Sequence, residues 1–368
     1  MGVDAEYGEM VTASHGWPDG RFRELLGSRL PIVQAPMAGA GGVELAVAAM
    51  TAGAVGSLPC AMLKPDEVRA QAAQVRAGAA GPLNLNFFCH QMPPPPDQEA
   101  WLALLRPFYE RFGVQPGGPQ GPVRAPFDSA MAEAVEAVRP EIVSFHFGLP
   151  QERLLERVRR AGARVVASAT TLAEARWLAE RGVDGVIAQG WEAGGHSGRF
   201  LSPPEEQLAL FALVPQVADV TGLPVIAAGG IADGRGMAAA LILGAAAVQV
   251  GTAYLSCPEA LISPAHRTTL TSARAERTVF TNLFTGRLAR GLPTPPIDAL
   301  GPVREEAPAF PHATAAFVPL AKAARERGEE GFMPMWAGQS APLRRTLPAA
   351  ELTAAIAREA LALLAPGA

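Results

Sequence analysis

Eight short apolar runs, separated by helix-length segments, constrain this chain more than any other feature. They are Ile32–Ala35, Ala54–Ser57, Leu83–Phe87, Ile142–His146, Arg164–Ser168, Gly185–Gln189, Val225–Ala228 and Ala246–Val250. Each is too short for an amphipathic helix and lacks the period-two alternation of a strand with one wet face. Strands covered on both sides by helices read this way, as in parallel sheets. The intervening stretches, among them Val43–Ala52, Pro65–Ala77, Gln151–Ala161, Thr171–Arg181 and Gly234–Leu243, have helical patterning. Glycines at the ends of two of them, before Arg164–Ser168 and Gly185–Gln189, read as helix C-caps. Eight consecutive βα units predict an α/β protein of the (β/α)8 TIM-barrel class, whose usual size is about 250 residues. An open, doubly wound sheet is the competing arrangement, and the unbroken series of eight favours closure.

Two stretches interrupt the rhythm. Residues 89–140 hold Pro93–Pro96, a Gly/Pro-rich segment and a helical pattern over Glu99–Phe112, and read as a long excursion after the third strand. Beyond Thr252 more than a hundred residues remain, with helical patterns at Ala313–Gly328 and Ala349–Leu364. The organisation expected is an N-terminal tail (1–28), the barrel (29–260), a mostly helical lid (261–335) and a C-terminal segment (336–368) whose helix packs back on the barrel. Hydrophobic residues make up 49% of the 368 and charged residues 18%, enough apolar material for a sizeable core. The formal net charge of −4, without a long basic run, argues against nucleic acid or an anionic membrane as partner. There is no run of about 18 apolar residues to span a bilayer. Met1 to Gly20 lacks the layout of a secretion signal, and the three cysteines are scattered, which fits a reduced, cytoplasmic protein. The number of subunits stays open, a homo-oligomer included.

In a barrel, ligands sit at the C-terminal ends of the strands. Those ends carry Gln34 to Gly39, Asn86, His146, Ser168 to Thr170, Gln189, Gly229-Gly230 and Gln249 to Thr252. The set is polar and glycine-rich, with no cluster of carboxylates and histidines spaced as metal ligands, so no metal is expected. The loops after strands seven and eight, with N–H groups at Gly229, Gly230, Gly251 and Thr252, suit a phosphate. The neutral amides of Gln34, Asn86 and Gln189 suit a ring with imide and ring nitrogens, such as an isoalloxazine. The run Asp184–Gly198 is the most telling of these ends. A buried strand stops at Gln189 and opens into a loop, Gly194-Gly195-His196, where backbone approaches a flat ligand closely and one imidazole trades protons near neutrality.

These pieces carry a resemblance. Gln34-Ala-Pro-Met-Ala-Gly39, Asn84-Leu-Asn-Phe-Phe88, Ser144-Phe-His-Phe-Gly148, Gln189-Gly-Trp-Glu-Ala-Gly-Gly-His196, Ala227-Ala-Gly-Gly-Ile231 and Gln249-Val-Gly-Thr252 resemble the nitronate monooxygenase family, as do Phe284 to Gly291 and Trp336 to Gln339. The resemblance spans about residues 30–340 and implies an FMN-dependent barrel that oxidises nitronates, or nitroalkanes, with dioxygen. It implies that Met37, Ala38, Gly39, Asn86, Gln189, Gly194, Gly195, Gly229, Gly230, Gln249, Val250, Gly251 and Thr252 lie at the FMN. It matches His196 to the family's catalytic histidine, a base for a nitroalkane's α-proton or, protonated, a partner for the nitronate anion, and His146 to a second active-site histidine of one subgroup. One departure stands out: Ser197 occupies a position where many relatives carry Arg.

Bland readings compete with these. His15, His90, His266 and His312 lack a strand-end context and read as surface or structural. His146, between two phenylalanines, reads nearly as well as a buried structural residue. Cys60 and Cys89 read as packing, Arg287 and Arg290 as solvated, and Met333 and Trp336 as core or lid packing. The rival function keeps fold and flavin but takes electrons from NAD(P)H, as in enoyl-ACP or quinone reductases. Less favoured are a non-redox phosphate-binding barrel and a flavin-binding module without turnover.

Overall fold

A computed structural model describes residues 16–117 and 124–365; His15 lies outside them. The eight runs form one parallel sheet: β1 (Ile32–Gln34), β2 (Gly56–Pro59), β3 (Leu83–Phe88), β4 (Ile142–His146), β5 (Arg164–Ala169), β6 (Gly185–Gln189), β8 (Val225–Ala228) and β9 (Ala247–Val250), with the short β7 (Gly195–His196) outside it. Strands follow one another in chain order around the ring, and β1 pairs with β9 through Ile32 and Val248. A parallel bridge between Val33 and Val55 joins β1 to the edge of β2 and completes the barrel. Nearly every strand residue is buried, which is why the runs are continuous rather than alternating.

The barrel's N-terminal end is stoppered. Helix α1 (Arg21–Leu26), inside the expected tail, inserts Phe22, Leu25 and Leu26 against Val33, Val55, Ile142, Val166, Ile187 and Ile226. Fully burying a phenylalanine here contributes about 2–3 kcal/mol. Gly185 makes room for this plug, because a Cβ there would lie 2.8 Å from Leu25. The barrel helices α2 (Val43–Thr51), α3 (Pro65–Gly78), α5 (Ser129–Val138), α6 (Glu152–Arg160), α7 (Leu172–Glu180), α8 (Leu210–Thr221) and α9 (Gly234–Ile242) wrap the outside. Their starts are chemically marked: Asp128, Thr171 and Asp233 accept the first-turn N–H groups of α5, α7 and α9.

Above the barrel's C-terminal end lies a second layer. In the excursion, α4 (Glu99–Phe112) packs Trp101, Leu105 and Phe112 against Phe317 and Leu320 of α12 (Thr314–Glu326) and against Phe332. Tyr109 donates its hydroxyl to the Ala316 carbonyl at 2.6 Å. The lid segment also holds α10 (Pro264–Leu270), α11 (Pro295–Leu300) and two short strands, β10 (Val279–Thr281) and β11 (Ala289–Gly291). These strands form an antiparallel sheet with β7, pairing Ala289 with His196 and Arg290 with Gly195. The lid thus reaches down and grips the glycine-rich loop. The final helix, α13 (Ala349–Leu364), packs on α9 so closely that a Cβ on Gly234 would meet Glu359 at 2.2 Å. No helix among the described residues is long and apolar enough to cross a membrane.

Candidate active site

The strand ends and the lid enclose one cavity of about 770 Å³. Met37, Ala38 and Gly39 line it after β1, Asn86 on β3, His146 on β4 and Gln189 on β6. Gly194, Gly195 and His196 border it from the loop, Gly229 and Gly230 after β8, and Gln249, Gly251 and Thr252 at and after β9. Val250 is the exception among the residues expected there. It is fully buried, does not border the cavity, and its carbonyl accepts the Ala35 N–H at 2.8 Å.

At one end of the cavity, the N–H groups of Gly229, Gly230, Gly251 and Thr252 donate to nothing among the described residues. Gly229 and Gly230 hold φ of +125° and +69°, a backbone that side chains disfavour. The Thr252 hydroxyl accepts the Gly338 N–H at 2.8 Å and keeps its own proton free. The start of α9 nearby is already closed by the Asp233 carboxylate, so unsatisfied donors come from the loops alone. Gln249 Oε1 is buried with no partner among the described residues, an orphan that a ring N–H would satisfy.

At the other end sits His196, buried at 9% exposure. Its carbonyl accepts two bonds, from Gln189 Nε2 at 2.9 Å and from His146 Nε2 at 3.1 Å. Gln189 also accepts the Gly198 N–H at 2.6 Å, so both ends of its amide hold the loop rather than facing a ligand. A carbonyl only accepts, so His146 carries its proton on Nε2, and its Nδ1 accepts from the Ser168 hydroxyl at 3.0 Å. Burial lowers the His146 pKa to about 4 and keeps the ring neutral. With both nitrogens engaged, His146 sets the position of His196. The backbone after it is tense, Phe147 having φ of +70°.

The imidazole of His196 makes one hydrogen bond, between Nε2 and Thr285 Oγ1 at 3.0 Å. The Thr285 hydroxyl donates to the Arg287 carbonyl at 3.3 Å, so it accepts from His196. That assigns the proton to Nε2 and leaves Nδ1 a bare lone pair, without a partner among the described residues and not sealed off from the cavity. Phe88, Phe147, Phe310 and Trp336 surround the ring at centroid distances of 5.4 to 6.1 Å. Burial, then the charges of Arg124 and the groups around it, push the His196 pKa well below its ordinary 6.5.

Several neighbours escaped the sequence reading. Arg287 and Arg290 are not solvated. The first lies 4.0 Å over the Phe147 ring and donates to the Arg199 carbonyl. The second, 3% exposed, stacks on Phe280 and donates to the Trp191 carbonyl at 3.0 Å. Ser197 points away from the cavity and donates to Gln207 Oε1 at 2.6 Å. An Arg side chain would not fit that buried position without moving Gln207. His90 and His266 are buried, and Cys60 and Cys89 have thiols pushed up by burial, as packing residues would. Thr285 lies in a segment quoted for the resemblance, but nothing in its spacing signals a bond to His196. Arg124, in Gly/Pro-rich chain, carried no signal at all.

The closed (β/α)8 barrel carries a buried imidazole over a strand-end cavity, an arrangement suited to a small ligand and to proton transfer. The sequence model for nitronate monooxygenase matches residues 21–359. A nitronate monooxygenase of Paraburkholderia phytofirmans is 43% identical over 343 residues, covering 91% of this chain and 93% of its own. One from Pseudomonas aeruginosa is 42% identical, covering 92% and 98%. Among solved structures, a nitroalkane oxidase from Streptomyces ansochromogenes superposes with a TM-score of 0.83 at 36% identity, covering 93% and 98%. FabK from Thermotoga maritima is more distant, with a TM-score of 0.70 at 26% identity, covering 94% and 96%. This chain belongs to the nitronate monooxygenase family and is an oxidoreductase.

Proposed function

We propose that the protein binds FMN and oxidises alkyl nitronates with dioxygen to a carbonyl compound and nitrite, with His196 taking the α-proton when a neutral nitroalkane is the substrate. The observation that carries this is the free lone pair of His196 Nδ1, held open to the cavity by the Thr285 bond on the opposite nitrogen. The residues fit FMN. The free N–H groups at Gly229, Gly230, Gly251 and Thr252 would hold its phosphate, Gln249 Oε1 would meet a ring N–H, and Met37 to Gly39 and Asn86 would border the ring. Gly39 and Gly195 have positive φ and open space where a Cβ would stand, which leaves backbone free to lie against it. Bound there, FMN would supply electron transfer from the nitronate and the reaction with dioxygen.

The chain's own part is positioning and proton handling. Gln189 and His146 fix the His196 backbone, Thr285 fixes its tautomer, and the aromatic wall excludes water. A depressed pKa keeps the base ready in acid. An ordinary histidine loses half its base form at pH 6.5. His196, titrating well below that, stays neutral as pH falls. Oxygen uptake with a neutral nitroalkane should therefore hold nearly constant kcat/KM from about pH 8 down to about pH 6 and fall only in more acid buffer. An acid limb centred at or above pH 6.5 would contradict a depressed base.

A further inference from the structure

We propose that Arg124 is the residue that receives the substrate's negative charge, its guanidinium fork taking the two oxygens of the planar nitronate while His196 stands by as a neutral base. The inference rests on the reading of the cavity as a nitronate site.

Backbone pairing places Arg124. Phe127 donates its N–H to the Phe88 carbonyl at 2.7 Å, Pro126 bridges Phe88, and Ala125 donates to the Ala61 carbonyl at 3.3 Å. These contacts lay the returning excursion beside the end of β3, with the Arg124 side chain against the cavity. The residue is 8% exposed, yet among the described residues no carboxylate pairs with it. Its single contact is a long 3.5 Å approach of Nη1 to Thr314 Oγ1, and Nε is enclosed without a partner.

A buried guanidinium with five donors and one weak acceptor is costly to keep. Burial lowers its pKa to about 10, so it stays charged at neutral pH. A second buried guanidinium near His196, that of Arg287, does not border the cavity and already has the Phe147 ring and the Arg199 carbonyl. Arg325 also borders the cavity but is exposed to solvent, so among the described residues Arg124 is the buried guanidinium there whose charge is unspent. A nitronate carries two oxygens on one planar nitrogen, the geometry that a guanidinium grips with two parallel bonds. His196 cannot play this part while neutral, so base and anion holder are separate side chains.

The test compares wild type, Arg124→Gln and Arg124→Lys, all loaded with FMN. Nitrate, a planar monoanion, is titrated calorimetrically, and KM and kcat are measured for ethyl nitronate and for neutral nitroethane. Arg124→Gln should weaken nitrate binding and raise the nitronate KM by about 10- to 100-fold, the worth of hydrogen bonds to a charged group. The nitroethane KM should move less than about threefold, and Arg124→Lys should recover part of the nitrate affinity. Equal nitrate affinity in wild type and Arg124→Gln would overturn the proposal even if nitronate turnover is intact. Nitrate binding by a wild type that does not oxidise nitronates, lost in Arg124→Gln, would uphold the anion site and overturn the functional reading alone.

Discussion

Replacing His196 by Asn is expected to lower turnover of a neutral nitroalkane at least about 100-fold, the low end for removing a general base. With a preformed nitronate the loss should stay below about tenfold, because no proton has to be removed. The split follows from the placement of the ring. Nδ1 is the imidazole nitrogen of His196 open to the cavity, and both nitrogens of His146 are occupied, so His146 does not stand ready to take over. Asn retains a polar side chain near Thr285 but has no comparable basic lone pair. Steady-state rates with both substrates, at equal FMN content, check this. Equal losses on the two would mean that His196 shapes the site rather than moving a proton.

Gly194→Ala should be the more damaging change for cofactor retention. A Cβ at this position would lie 2.5 Å from Gly338 N and 2.6 Å from the Ala337 carbonyl carbon. Both are backbone atoms of the segment that closes the cavity, tied down by the bonds from Gly338 N to Thr252 Oγ1 and from Gln339 N to the Glu192 carbonyl. They cannot rotate away as a side-chain tip would, so the segment must shift or the loop must lift. Overpacking of this kind costs about 1–3 kcal/mol. Because Thr252 belongs to the proposed phosphate end and His196 to the same loop, FMN affinity should fall about 10-fold or more. Fluorescence titration of apoprotein with FMN measures it. Gly195→Ala, where no protein atom lies within 4 Å of a new Cβ, disturbs the protein's own packing only through the backbone strain of φ +74°. Unchanged FMN affinity in Gly194→Ala would show that this contact does not govern the cofactor site.

The barrel was legible because its strands are buried on both faces, and such strands announce themselves as continuous apolar runs. Ile142–His146 and Gly185–Gln189 match their strands residue for residue, as Glu99–Phe112 and Ala349–Leu364 match their helices. The second strand slides two residues, to Gly56–Pro59, because its pairing with β3 runs through Leu58 and Pro59, while Val55 makes only the bridge to β1. What stayed hidden depends on partners far along the chain. Three-residue strands such as Val279–Thr281 and Ala289–Gly291 have no periodicity to read; they exist because β7, some ninety residues earlier, offers an edge. Helix Arg21–Leu26 looks like a tail until the open barrel end above it is known. Arg287 and Arg290 look solvated because a cation over an aromatic ring leaves no trace in spacing. The strand-end residues of the cavity were legible through the barrel rule, but their bonding was not. Gln189 reads as a ligand contact and His146 as either a contact or a structural residue; what the sequence does not show is that their polar atoms bond the His196 carbonyl, the Gly198 N–H and Ser168.

The central claim is that electrons enter this site from a nitronate. Anaerobic absorbance of the FMN-loaded protein, mixed separately with propionate 3-nitronate and with NADH, tests it most directly. Loss of the oxidised-flavin absorbance with the nitronate and little change with NADH are expected. Rapid bleaching by NADH with none by the nitronate would contradict it and move the protein to the reductase side of the fold.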